Sequence, residues 1–251
     1  IGCGVSVAGA VEPEKGYILS APLLGWSMVN VSEYIESALN IPVYVDNIPN
    51  SKNMVANGFG ILNNSKNVVL LNASLSFGCS LLVDGSLLRG KEYNVGLISD
   101  LLVPVEGSRQ FLPLDKVAGG FAIVKQFHGK AFDDNISESS VMLQKIMEKA
   151  DNGDADAINS ITLAGEALAY TVIAINGLLH PETILLTGPL VKSKVYCKSV
   201  SDRIILLTGS ETIFHKLCFE HIPNQGLGSA LVIFRSLEQN NVALMKFEVT
   251  A

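Results

Sequence analysis

Apolar residues recur along this chain with two periods, and each change of period marks an element. Ile1 to Ala8 alternates small and apolar residues like a central strand, Gly9 allows a turn, and Tyr17 to Ala21 is a second short strand beyond the turn at Pro13 to Gly16. From Val31 to Leu39 the apolar positions Val31, Tyr34, Ile35, Ala38 and Leu39 shift to helical spacing, which predicts a helix stopped by Asn40. Alternation returns at Val43, Tyr44 and Val45, a buried strand with Asp46-Asn47 at its end, followed by Pro49 and a helix-like run from Ser51 to Phe59. Val68 to Asn72 and Ser80 to Val83 read as strands, with Asp84-Gly85 as a hairpin signal into Leu87-Leu88. Phe121, Ile123, Val124 and Phe127 make one helix face, and Ser137 to Lys149 and Asp154 to Leu179 are the two clearest helices. In the longer one Ala157, Ile161, Ala164, Leu168, Val172 and Ile175 recur at threes and fours, and His180-Pro181 ends the pattern. Thr183 to Thr187 is a strand; Leu227, Leu231, Phe234 and Leu237 stripe a final helix; Val242 to Thr250 reads as a short added strand. Strands alternating with helices predict an α/β fold.

Composition narrows the class. A chain of 251 residues that is 48% hydrophobic and 17% charged can build a substantial core. A net charge of -6 gives this segment no electrostatic reason to bind nucleic acid or an anionic membrane by itself, so DNA contact must come through a segment outside it. Cys3, Cys79, Cys197 and Cys218 are scattered without C-x-x-C spacing, as expected for reduced thiols in a cytoplasmic protein. No uninterrupted apolar run reaches the ~18 residues of a membrane span. Ile1 already sits inside a strand pattern and is not Met, which is read as a chain starting partway through a longer protein.

Ligands in open α/β sheets bind beyond the carboxyl ends of strands, which makes Asp46-Asn47 the first place to look for a site. The stretch P-V-Y-V-D-N-I-P-N-S-K-N, Pro42 to Asn53, resembles the strand and helix start that carry the sugar site of the ROK family of bacterial sugar kinases and sugar-responsive repressors. Gly4 to Trp26 is similar to that family's G-x-x-x-P-G-P-V-D…G-x-x-x-x-A-P-N-L-G-W, and Leu82 to Gly90 to its I-V-D-G-x-L-L-x-G. The resemblance implies an actin-like ATPase (ribonuclease H-like) fold of two lobes, with the amino-terminal lobe incomplete because the D-x-G-x-T phosphate unit is not in the sequence. On that basis residues 1–50 belong to the amino-terminal lobe, 51–237 to the larger lobe, and about 238–251 packs on the first.

What the resemblance implies for chemistry turns on changed letters. The family's catalytic base is the Asp of N-D-x-N, where this chain has Ile48, and an aliphatic side chain cannot take a proton; loss of a general base forfeits about 10²- to 10⁴-fold in rate. Asp46 is expected to point to the opposite side of the extended backbone. No catalytic residue is therefore assigned. Ala73 to Gly78 stands at the phosphate loop G-T-G-I-G with only Gly78 kept and with Leu75 and Phe77 adding bulk; Gly188-Pro189-Leu190 stands at the adenosine-contacting G-G-G-V. Gly78 and Gly188 are thus the remnants of nucleotide binding. Leu97 and Asp100 replace a sugar-holding Glu and His, and Asp115 is similar in place to a further sugar-contacting Glu, although an Asp there equally suits a helix N-cap. Asn47, Asp100 and Asp115 are the candidate sugar contacts.

Pro104 to Pro113 lacks the family's cysteine loop, so no zinc is expected, and His215, Cys218 and His221 read as ordinary strand residues whose faces alternate. Trp26 is expected to be a structural anchor. The leading expectation is a non-catalytic, sugar-sensing and dimerising domain of a transcriptional regulator, with a small-molecule sugar as ligand and no cofactor. The alternative is a divergent sugar kinase, which would need ATP and Mg2+.

Overall fold

The computed structural model describes residues 2–59, 62, 65–129, 135–209, 213, 216–220, 222 and 225–239, and the chain forms two units. The first comprises residues 1–63, 89–94 and 224–251; the second, 64–88 and 95–223. The boundary lies later than the one expected at Asn50: the helix after the strand end stays with the first unit, because its partners are there, and so does the final helix, Gln225–Gln239.

In the first unit β1 (Cys3–Val7) is followed by a three-stranded antiparallel sheet of β2 (Ala10–Glu12), β3 (Tyr17–Ala21) and β4 (Trp26–Asn30). Helix α1 (Val31–Leu39) leads to β5 (Val43–Asn47), which pairs in parallel with β1, Ser6 opposite Asp46 and Val7 opposite Asn47. Helix α1 has the expected bounds: Asn30 caps it by accepting from the Glu33 N–H, and Asn40 ends it in the left-handed conformation. Its apolar face is not buried as the spacing suggests, since Tyr34 and Leu39 are 77% and 53% exposed and only Val31 and Ser32 are inside. Trp26 is likewise an exposed residue of β4 and not a buried anchor. Helix α2 (Ile48–Phe59) starts three residues earlier than expected.

The second unit is built on a five-stranded sheet. Its strands are β6 (Val68–Ala73), β7 (Phe77–Val83), β8 (Ser86–Leu87), and later β11 and β12; β9 (Leu102–Pro104) and β10 (Phe111–Pro113) form a separate hairpin. Helices α3 (Gly120–His128), α4 (Ile136–Asp151) and α5 (Ala155–Leu179) precede β11 (Thr183–Thr187), α6 (Lys194–Thr208) and β12 (Leu217–Phe219). The spatial order is β12-β11-β6-β7-β8, with β6, β11 and β12 parallel, β7 antiparallel to β6 and β8 antiparallel to β7. Leu70, Leu71, Ile184, Leu185 and Leu186 have no exposure above 0%, as expected of central strands covered on both faces. Helix α5 supplies the centre of the core with Ala157, Ile161, Ala164, Leu168 and Val172. Although no apolar run in it is unbroken, its most apolar 18-residue window averages 1.5 in hydropathy, long and apolar enough to cross a membrane, and 56% of that window is buried in the protein. The chain then returns to the first unit as α7 (Gln225–Gln239). Val242 to Thr250, His215 and His221, and the side chains of Phe234 and Leu237, lie outside the described residues.

Candidate functional site

Residues of the expected sugar site fall in both units, and each unit is described in turn. In the first, β5 ends at Asp46 and Asn47 beside the end of β1. Asn47 accepts the backbone N–H of Asn50 on Oδ1 at 2.8 Å, which caps the start of α2, and Pro49 in that first turn costs no intrahelical bond. Its amide N–H groups make no hydrogen bond among the described residues.

Asp46 is 2% exposed and accepts four hydrogen bonds. Arg89 donates to Oδ1 at 3.1 Å and to Oδ2 at 2.7 Å, and the Asn47 N–H and the Asn50 side-chain amide both donate to Oδ1, at 2.7 and 2.9 Å. Sequence reasoning assigned Arg89 no role. The signal was there in outline: an Asp at the end of a buried strand needs a cation, and buried charges are kept only when paired. Ile48, at the position where the resemblance places a base, is the first residue of α2. Farther along that helix Ser51, Lys52 and Asn53 are all buried, and burial pushes the Lys52 amine down to about 8. Ser51 also meets Ser6 of β1 hydroxyl to hydroxyl at 2.7 Å.

In the second unit Asp100 ends the short 3-10 turn Ile98–Asp100 with its side chain exposed, and Leu97 beside it is 51% exposed. Asp115 lies in another 3-10 turn, Leu114–Lys116. It is not a helix N-cap: Gly119 holds that place for α3, without a side-chain bond. The Asp115 carboxylate instead accepts the Ser76 hydroxyl and the Phe77 backbone N–H. Burial pushes its pKa up, those two bonds pull it down, and the charge of Asp100 adds to the rise. Asp100 and Asp115 are therefore within electrostatic reach of each other, while Asn47 belongs to the first unit.

The stretch expected as a phosphate loop is shorter than the sequence suggests. Gly78 pairs with Asn72 and Phe77 with Ala73 in the β6–β7 ladder, which leaves a tight turn at Ser74, Leu75 and Ser76. Leu75 and Phe77, 7% and 6% exposed, fill the core and do not crowd the turn's open side. Gly188, after β11, has φ +108° and lies so close that a Cβ there would stand 2.3 Å from the Ala73 carbonyl oxygen. A cleft of about 410 Å³ opens in this unit between the turn and α4, lined by Ser74, Leu75, Leu143, Met147, Glu148 and Lys192 among others. Among the described residues no three His, Cys, Asp or Glu side chains converge as metal ligands.

A family model described as "ROK family" matches residues 1–214. The chain belongs to the ROK family. It is 31% identical over 90 residues to the xylose repressor of Caldicellulosiruptor bescii, a match to 36% of this chain and 23% of that protein. It is 23% identical over 206 residues to the glucokinase of Halalkalibacterium halodurans, covering 77% of this chain and 62% of that one. A crystal structure of a ROK family transcriptional regulator, a homologue of the Escherichia coli MLC protein, superposes with a TM-score of 0.76 at 22% identity over 94% of this chain and 63% of that one. The fold is that of ROK sugar kinases and regulators, the actin-like ATPase fold. The chain spans less than two thirds of each of these relatives.

Proposed function

We propose that this chain is the non-catalytic, sugar-sensing and dimerising part of a ROK-type transcriptional regulator of the cytoplasm, with DNA contact made by a segment beyond it. One observation carries the reading. Ile48 stands where the resemblance places the family's base, and the neighbouring carboxylate, Asp46, accepts two guanidinium N–H groups, a backbone N–H and an amide N–H. A carboxylate so engaged is committed to Arg89 and to the start of α2 and is not free to turn to a substrate hydroxyl. No cofactor or zinc enters this reading.

The proposed ligand is a small sugar, with the Asn47 amide N–H groups of the first unit as donors to a hydroxyl. Asp115 already accepts one hydrogen bond on each oxygen, from Ser76 and from Phe77. Net negative charge supports assigning DNA contact elsewhere. Thermal-shift titration of the full-length protein with xylose, glucose and N-acetylglucosamine tests the reading, with a coupled ADP-release assay on the same sugars. A sugar-dependent shift without turnover is the expected result. The likeness to a glucokinase over 206 residues favours a second reading, a divergent kinase using ATP and Mg2+, and robust ADP release would establish it in place of the first.

A further inference from the structure

The turn between β6 and β7 carries an anion of its own. Ser76 and Phe77 aim a hydroxyl and a backbone N–H at one place, and the Asp115 carboxylate fills it, one oxygen to each donor, with 2.8 Å to the Phe77 nitrogen. Convergent hydroxyl and backbone N–H donors on a tight turn are the arrangement by which chains hold phosphoryl oxyanions. The other side of the turn is closed as well. The Ser74 and Leu75 carbonyls accept from the Gly120 and Phe121 N–H groups at 2.9 and 3.1 Å, so the first two donors of α3 are already engaged. Gly120 makes that approach possible, since a Cβ there would come within 3.0 Å of Leu75 Cα.

We propose that Asp115 is a built-in oxyanion, an autoinhibitory contact that occupies from within the donor pair a phosphoryl group would use and so keeps the turn closed to phosphate. Asp100 reinforces it, because an incoming phosphate meets two carboxylates that already repel each other. The arrangement belongs wholly to the second unit and does not depend on the sugar-sensing reading.

The test follows the Phe77 N–H resonance in the folded chain during titration with inorganic phosphate, ATP and glucose 6-phosphate, the three arms separating free phosphate from nucleotide and sugar phosphate. In the wild type the resonance stays in place. In Asp115→Ala it moves and saturates with at least one of the three, at an affinity ~10-fold or more above the wild type, and acetate competes because it restores the lost carboxylate. Asp115→Asn, which keeps an oxygen but no charge, gains less. Should Asp115→Ala not fold, Asp115→Asn against Ser76→Ala decides, since Ser76→Ala leaves the carboxylate in place and must gain nothing. A resonance blind to all three anions in every folded Asp115 variant, equal affinity in the wild type, or a gain in Ser76→Ala overturns the proposal.

Discussion

Removing the Arg89 guanidinium by Arg89→Ala leaves the Asp46 carboxylate charged at a site where its side chain is only 3% exposed. Two charges about 4 Å apart near a protein surface interact by about 4 kcal/mol, and breaking one partner out of a buried pair costs about 3–5 kcal/mol. Asp46 keeps its bonds from the Asn47 N–H and the Asn50 amide, and Arg89 is itself 19% exposed, so the loss belongs at the lower end, about 3 kcal/mol. The double variant Asp46→Asn/Arg89→Met removes both charges and is expected to be the more stable of the two by at least ~1 kcal/mol. Urea unfolding followed by tryptophan fluorescence measures this cleanly, because Trp26 is the single tryptophan and lies in the same unit as the pair. The reasoning fails if Arg89→Ala costs under ~0.5 kcal/mol, or if the double variant is no better than the single.

Three further outcomes are expected. Lys52, pushed from the ordinary 10.5 to about 8 by burial, is charged in both states below pH 8 and loses its proton first in the folded state, so stability rises from about pH 8 to 10.5 by ~3 kcal/mol; Lys52→Met should flatten that rise in urea titrations across pH. Gly188→Ala should destabilise the second unit by ~3 kcal/mol, through the clash with the Ala73 carbonyl and the φ of +108°, read as a fall in thermal midpoint, and an unchanged midpoint would count against the described turn. Tyr196 is fully buried with a hydroxyl that has no partner among the described residues, so Tyr196→Phe should leave stability unchanged or raise it by ~1 kcal/mol in chemical denaturation, and a loss above ~1 kcal/mol would show a missed partner.

The elements that periodicity located best were those whose burial is complete. Helix α5 and strands β6 and β11 follow the expected spans to within a residue or two, because both faces of the strands and a wide stripe of the helix are inside. Helix α1 had correct bounds and too wide a face, since Asn30 and Asn40 set its ends locally while packing, which decides what is covered, reaches Val31, Ser32 and in part Ile35 but leaves Tyr34 and Leu39 exposed. Strand β4 was missed because its apolar residues Trp26 and Met28 are exposed and leave no alternation to detect. Within the site, Asp46, Asn47 and Asp115 were visible as polar residues at element ends. Their partners were not: Arg89 is 43 positions from Asp46 and Ser76 is 39 from Asp115, separations at which spacing carries no information.

During synthesis α5 emerges after α3 and α4 but before α6, which packs along it. Thr208, the last residue of α6, follows Leu179 by 29 positions, about 2 to 6 s of translation. For that interval the segment satisfies the length and apolarity that lipid asks of a spanning helix as well as those of a globular interior. The arrival of α6 completes the cover of α5, and the close seat that Gly165 provides for Ser199 and Tyr196 is where that cover is drawn tightest.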